Sequence, residues 1–307
     1  MNWLPALALA LALGTAAGFG RPPLGLDLYL PVPPSNPLTR EKVALGRRLF
    51  FDTRLSRDGT LSCASCHDPK RSFADGRVVA TGIGNAAGTR NSPALVNRGY
   101  GAAFFWDGRA SSLEELALEP VFNPIELGST EAELERRTGL RAADVGAALA
   151  SYLRTIRSGD SPFDRYTAGH TRALNARAKR GLEVLREKGG CTSCHAGPTF
   201  TDERFHNTGV SWNGAGFEDE GRFAVTQVQR DRGAFKTPTL RDLTRTAPYM
   251  HDGSLPTLAA VVDFYADGGR PNPNLDPLMR PRPLTPDEKR ALVAFLESLT
   301  GRVREGR

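Results

Sequence analysis

Two five-residue runs concentrate the chemistry of this sequence: Cys63-Ala64-Ser65-Cys66-His67 and Cys191-Thr192-Ser193-Cys194-His195. Cys-x-x-Cys-His is the pattern of covalent c-type haem attachment. Two thiols at this spacing add to the two vinyl groups of one porphyrin, and the adjacent imidazole then coordinates the iron. The two runs use all four cysteines of the chain. A zinc site or a dithiol redox motif would not require histidine as the next residue, and certainly not twice. The sequence therefore predicts two haems c, with His67 and His195 as proximal iron ligands.

The remaining axial ligands can be counted, because the chain has only five histidines and three methionines. Between Asp68 and Gly169 there is no histidine, methionine or further cysteine. The first haem thus lacks a strong sixth ligand from its own surroundings; Tyr100, Tyr152, Tyr166 or a lysine are less usual choices. An iron with a vacant distal position binds peroxide, whereas a doubly ligated one transfers electrons. The first haem is the expected reaction centre. For the second, His206, Met250, His251, Tyr265 and Met279 are all available. His206 is expected to bond a loop or a haem propionate, and His170 to be a bystander.

The elements that must hold these groups repeat. Phe73-Ala74-Asp75 follows the first motif and Phe200-Thr201-Asp202 the second. Asn91-Ser92-Pro93-Ala94-Leu95 corresponds to Lys236-Thr237-Pro238-Thr239-Leu240, and a fourteen-residue step leads from Pro93 to Asp107 and from Pro238 to Asp252. Such a duplication fixes the architecture: mainly α, two cytochrome-c-like domains in tandem, with the haems facing the domain interface. The length suits about two domains, an N-terminal haem domain over 21–160 with the open iron and an electron-transfer domain over 161–307. Apolar periodicity predicts helices over 39–50 and 176–188 before the motifs. Matching helices over 113–119 and 258–266 follow the Asp-Gly turns, and a capping box at Thr285 opens one reaching residue 299. The second of the matched helices should pass over the distal face of its haem, which nominates Tyr265. Residues 158–169, rich in Gly, Ser and Pro, read as the linker, and 82–88 and 214–221 as loops.

The N-terminus reads as a secretory signal over residues 1–20, an apolar run followed by small residues, although no Lys or Arg precedes the run. Export to the periplasm agrees with thioether attachment, which takes place outside the cytoplasm. A net charge of +6 and a pI near 9.3 favour an acidic redox partner. No basic stripe with aromatic platforms is present, so nucleic-acid binding is not expected.

Over roughly residues 38–299 the chain resembles the bacterial dihaem cytochrome c peroxidase and MauG family. Besides the haem motifs, the likeness rests on Arg90-Asn91-Ser92-Pro93, Phe105-Trp106-Asp107-Gly108-Arg109-Ala110, Asn123-Pro124-Ile125-Glu126, Phe205-His206-Asn207-Thr208-Gly209 and Thr246-Ala247-Pro248-Tyr249-Met250-His251-Asp252-Gly253. The resemblance implies that Glu126 is the distal carboxylate that shuttles the peroxide proton, and that Trp106 lies between the haems as a stepping stone. It implies that Asn91, Thr246 and Pro248 bind a calcium ion between the domains, as hard oxygen donors can. Three departures matter. Asn85 stands where many of these peroxidases place a histidine that blocks the first iron, so that iron should be open at rest. Tyr265 stands where their electron-transfer haem has methionine, an arrangement shared with MauG. Leu116 replaces a glutamine, giving a drier distal pocket. Three functions follow. The leading one is an exported peroxidase fed by a small cytochrome c or cupredoxin. The second is a MauG-like enzyme using hydrogen peroxide to oxidise side chains of a protein substrate. The third is a pure electron carrier, against which the open first iron and Glu126 argue.

Overall fold

A computed structural model of the chain describes residues 19–306. The expected signal segment lies outside the described residues except for Phe19 and Gly20. The first helix, α1, spans Arg40–Phe50, where Thr39 Oγ1 caps it by accepting from the Lys42 amide at 3.2 Å. Its inward stripe is Val43, Gly46, Leu49 and Phe50. Three helices follow the first haem motif: α2 over Leu113–Phe122, α3 over Glu131–Thr138 and α4 over Ala142–Thr155. Strand β1, Arg157–Gly159, and the short α5, Pro162–Thr167, lead to α6 over Ala176–Arg186. Beyond the second motif come β2 (Phe205–His206), α7 (Phe223–Thr226), β3 (Phe235–Lys236), α8 (Leu258–Ala266), α9 (Pro286–Glu297) and β4 (Arg302–Arg304). Among the described residues no helix is long and apolar enough to cross a membrane.

The same crossing occurs twice. Helix α1 packs on α4, and α6 packs on α9. A Cβ on Gly46 would lie 1.9 Å from the Ala148 carbonyl oxygen, and a Cβ on Gly181 would lie 1.9 Å from that of Ala291. Only glycine allows backbones this close. Each crossing sits over its own apolar core. One contains Phe50, Leu55, Phe73, Leu149, Tyr152 and Ile156; the other contains Leu185, Phe200, Leu292, Phe295 and Leu299. Burying side chains of this size stabilises by roughly 1.5–3 kcal/mol each.

Residues 158–169 are not a slack linker. Strand β1 pairs antiparallel with β4, with Ser158 opposite Val303. Ser161 caps α5, whose Asp164 is 1% exposed and takes two guanidinium hydrogen bonds, both 2.9 Å, from the equally buried Arg241. The Gly, Ser and Pro content here supplies a cap, a first-turn proline and a close backbone approach. Helix boundaries also moved. Helix α6 stops at Arg186, because Glu187 leaves helical geometry and the Gly189 amide turns back to Val184. Helix α2 runs through Pro120, and α9 closes at Glu297 with Ser298 capping. Helices α3 and α4 have no counterpart among the helices that periodicity predicts.

Candidate functional site

The two Cys-x-x-Cys-His runs fold alike. Each begins as a single 3-10 turn, and the histidine amide bonds back to the first cysteine carbonyl, His67 to Cys63 at 3.0 Å and His195 to Cys191 at 2.9 Å. In both, Nδ1 lies 2.9 Å from a main-chain carbonyl, Phe73 for His67 and Phe200 for His195. Phe73 and Phe200 adopt φ of +61° and +53°, which aim these carbonyls at the rings. A carbonyl fixes Nδ1 as the protonated nitrogen and leaves Nε2 bare, the tautomer a metal requires. Burial holds both imidazoles below their ordinary pKa, hence neutral. It pushes the Cys63 thiol up to about 12 and the Cys191 thiol up to about 11. Two thiols beside an oriented, neutral imidazole, on an apolar wall, fit a covalently held haem at each motif.

A large, mainly apolar cavity adjoins the second motif, and His195, Cys191 and Cys194 share its walls with Tyr265, Met279 and Met250. Tyr265 projects from α8, and burial, seconded by the neighbouring cysteines, raises its phenol above the usual range. His206 also lines the cavity, with both nitrogens taken, Nδ1 2.6 Å from Asp276 and Nε2 3.0 Å from Asp202. Hydrogen bonding to Cys194, then to Asp202 and Asp276, pushes it up to about 10 against the effect of burial. It bonds carboxylates and has no nitrogen left for iron. His251 stacks on Phe235 at 3.5 Å with rings 12° apart, and burial pushes it down to about 4. His170 is exposed, away from these walls.

At the first motif, the turn after α2 delivers Glu126. Asn123 shapes that turn by accepting from the Ile125 amide at 3.0 Å, and its Nδ2 donates to Glu126 Oε1 at 2.9 Å. Burial raises the Cys63 and Cys66 thiols, and the Glu126 charge adds a smaller contribution at each. Burial raises the Glu126 pKa, while Arg109 and the Asn123 bond oppose the rise. The loop carrying Asn85 lies against the same segment: Ile83 donates to the Glu126 carbonyl at 2.9 Å, and a Cβ on Gly82 would meet the Ile125 carbonyl at 1.9 Å. Leu116, on α2, is buried and faces the large cavity.

Trp106 joins the two halves. Its indole donates to the Asn91 carbonyl at 2.8 Å, its ring lies 6.5 Å from that of His251, and its carbonyl accepts from the Lys236 amide at 2.7 Å. Asn91 in turn donates its amide N–H to the His251 carbonyl at 2.7 Å and its side chain to Arg77 at 2.7 Å. Asn91, Trp106, Thr246 and Pro248 all border the large cavity. Arg90 clamps this seam, bonding Asp107 at 2.6 Å and gripping Asp219 through two bonds of 2.6 and 2.8 Å.

Sequence reasoning missed the buried Lys236. Burial, with Arg98 adding repulsion, pushes it down to about 7, and Glu203 lies 3.7 Å away. The signal was available, since Lys236 is the repeat counterpart of Asn91. Arg241, bonded to Asp164 across the fold, was missed as well.

Residues 40–142 match the family model of di-haem cytochrome c peroxidase. The methylamine utilization protein MauG of Methylorubrum extorquens is 44% identical over 289 residues, covering 88% of this chain and 81% of that protein. Cytochrome c551 peroxidase of Pseudomonas aeruginosa is 34% identical over 306 residues, covering 90% and 85%. A crystal structure of a MauG-like protein associated with microbial copper homeostasis superposes with a TM-score of 0.82 at 36% identity, covering 90% of this chain and 94% of that one. The coverage is nearly end to end, and both names recur among the relatives. The chain therefore belongs to the di-haem cytochrome c peroxidase family, haem-dependent oxidoreductases that use peroxide.

Proposed function

We propose that this chain is an exported dihaem peroxidase that reduces hydrogen peroxide to water at the N-terminal motif, with electrons relayed through the C-terminal one. In this reading residues 21–160 and 161–307 form two cytochrome-c-like units whose haems face their interface, and residues 1–20 direct export to the periplasm. The observation that carries it is a buried carboxylate, Glu126, held by Asn123 at 2.9 Å in a half whose sequence has no histidine, methionine or further cysteine beyond its motif to close the iron.

Attached through Cys63, Cys66 and His67, haem supplies the redox chemistry of peroxide cleavage. Glu126 takes the proton from the incoming peroxide and returns it to the departing oxygen, which leaves as water. Asn123 holds the carboxylate in position, and burial keeps its proton affinity closer to that of the oxygens it serves. Trp106 bridges the halves along the electron route, Tyr265 supplies an oxygen ligand to the second iron, and Asn91, Thr246 and Pro248 hold a calcium ion at the seam. The electron donor is a small acidic cytochrome c or cupredoxin, which suits a chain of net charge +6.

Steady-state peroxide consumption with a reduced small cytochrome tests the reading; a ferric protein whose optical and EPR spectra ignore peroxide would end it. A second reading keeps the peroxide step but draws electrons from side chains of a partner protein. Tyr265 in the cavity beside the second motif and 44% identity to a MauG favour it. Slow turnover with small donors and oxidation of a co-expressed protein would identify that case.

A further inference from the structure

The two helix crossings differ in one functional group. On the side of α4 that meets Gly46 stands Tyr152, whose Cβ is 2.9 Å from the position a Gly46 Cβ would take; at the matching crossing Phe295 stands 2.8 Å from the corresponding position at Gly181. Packing is met by a bare ring in the second half, so it does not call for a phenol in the first. A buried hydroxyl needs a partner, because leaving it unsatisfied is costly. Tyr152, 0% exposed, finds one by donating to Glu305 Oε2. Glu305 is carried there from the far end of the chain by β4, with the Gly306 amide fastened to Thr155 Oγ1 at 3.0 Å. Its side chain remains 27% exposed, and its other oxygen lies 3.6 Å from Arg47.

Aromatic rings connect this phenol to the first haem motif. Tyr152 packs edge-on against Phe50 at 5.3 Å, and Phe50 against Phe73 at 5.7 Å. The Phe73 carbonyl is the group that holds His67. The steps are short enough for an electron to tunnel through the packed rings. Burial and the neighbouring Glu305 both raise the phenol's pKa, so the group is a neutral hydrogen-bond donor at rest.

We propose that Tyr152 is a redox-active residue, a one-electron source for the first haem with Glu305 as its proton acceptor. This rests on the reaction of peroxide at that haem. When peroxide has oxidised the haem and no donor protein is docked, Tyr152 gives one electron to it. The phenolic O–H bond breaks, the proton passes to the Glu305 carboxylate, and a neutral tyrosyl radical remains. One electron from an external reductant and the proton held on Glu305 restore the phenol. The partly exposed carboxylate lets charge leave the core at a defined place, sparing the residues around Trp106.

The test uses the holoprotein with both haems attached, mixed with hydrogen peroxide without donor and freeze-quenched for EPR. The expected result is an organic radical that narrows on ring deuteration of tyrosine, disappears in Tyr152→Phe and falls in yield in Glu305→Gln. Tyr152→Phe copies the solution at Phe295, so unchanged circular dichroism and haem spectra should accompany the loss; Glu305→Gln, nearer the surface, gives a second measurement. A radical that persists in Tyr152→Phe or belongs to tryptophan overturns the inference. So does the absence of any organic radical while the haem spectrum responds to peroxide. If that spectrum does not respond, the peroxidase reading fails first and this inference with it.

Discussion

Trp106 donates its indole N–H to the main-chain carbonyl of Asn91 at 2.8 Å. The ring proposed to bridge the haems and the residue proposed to bind calcium are therefore mechanically one unit. Whatever loads the Asn91 backbone also loads the indole.

Calcium should accordingly be visible through tryptophan. Elemental analysis of purified protein is expected to find one calcium per chain. Chelation should lower the melting temperature, as loss of any ligand selective for the folded state does, and should alter the Trp106 emission. Asn91→Ala should behave like the stripped protein. Identical emission and melting before and after stripping would remove the ion from the account.

Glu126→Gln should slow the peroxide reaction by roughly 10²- to 10⁴-fold while both haems stay attached. The wild-type rate carries a pH signature as well. The deprotonated carboxylate accepts the peroxide proton, and burial places its pKa above the ordinary value. The rate should therefore fall as pH drops through that raised value, and the limb should be missing in the glutamine variant. Stopped-flow mixing across acid pH measures both, and an unchanged rate in the variant refutes the role.

Tyr265→Met exchanges an oxygen donor for a thioether in the cavity beside the second motif. An anionic oxygen ligand favours ferric iron, so the exchange should raise the reduction potential of that haem and change its ferric EPR signal. Spectroelectrochemistry with an unmoved potential would show that the phenol is not a ligand.

The ion pair of Arg241 and Asp164, each 1% exposed, makes a stability prediction remote from Glu126. Removing one partner strands the other without water, which costs about 3–5 kcal/mol. Arg241→Met should show a loss of that size in chemical denaturation of the holoprotein. A loss below about 1 kcal/mol, the size of an exposed pair, would mean that solvent reaches Asp164.

The local chemistry of this fold was legible in the sequence. The motif turns, the helices around Gly46 and Gly181, and α8 with Tyr265 follow from spacing and periodicity over short stretches. Helix α4 did not, because residues 148–155 are buried without interruption, the polar Ser151, Arg154 and Thr155 included, so burial there does not follow the alternation of apolar and polar residues. Residues 158–169 misled through composition, since serine, proline and glycine serve tight capping there as well as they serve a loose tether. Pairs distant along the chain were beyond reach: Arg241 and Asp164 are 77 residues apart, Tyr152 and Glu305 153. Glu126 and Trp106 were nominated only by resemblance, since nothing in their flanking residues marks a carboxylate or an indole as functional.

Strand β4 closes the hydrogen-bonding edge of β1, and Val303 packs against the core that contains Phe50 and Tyr152. During synthesis this strand emerges after all the other helices and strands that the structure describes. The first unit to be translated is thus the last to be sealed, and it is sealed by a segment that has already threaded past the whole of the second. Maturation of the two halves is coupled by connectivity alone: an arrested chain that already holds both cysteine motifs would still leave the N-terminal half ajar.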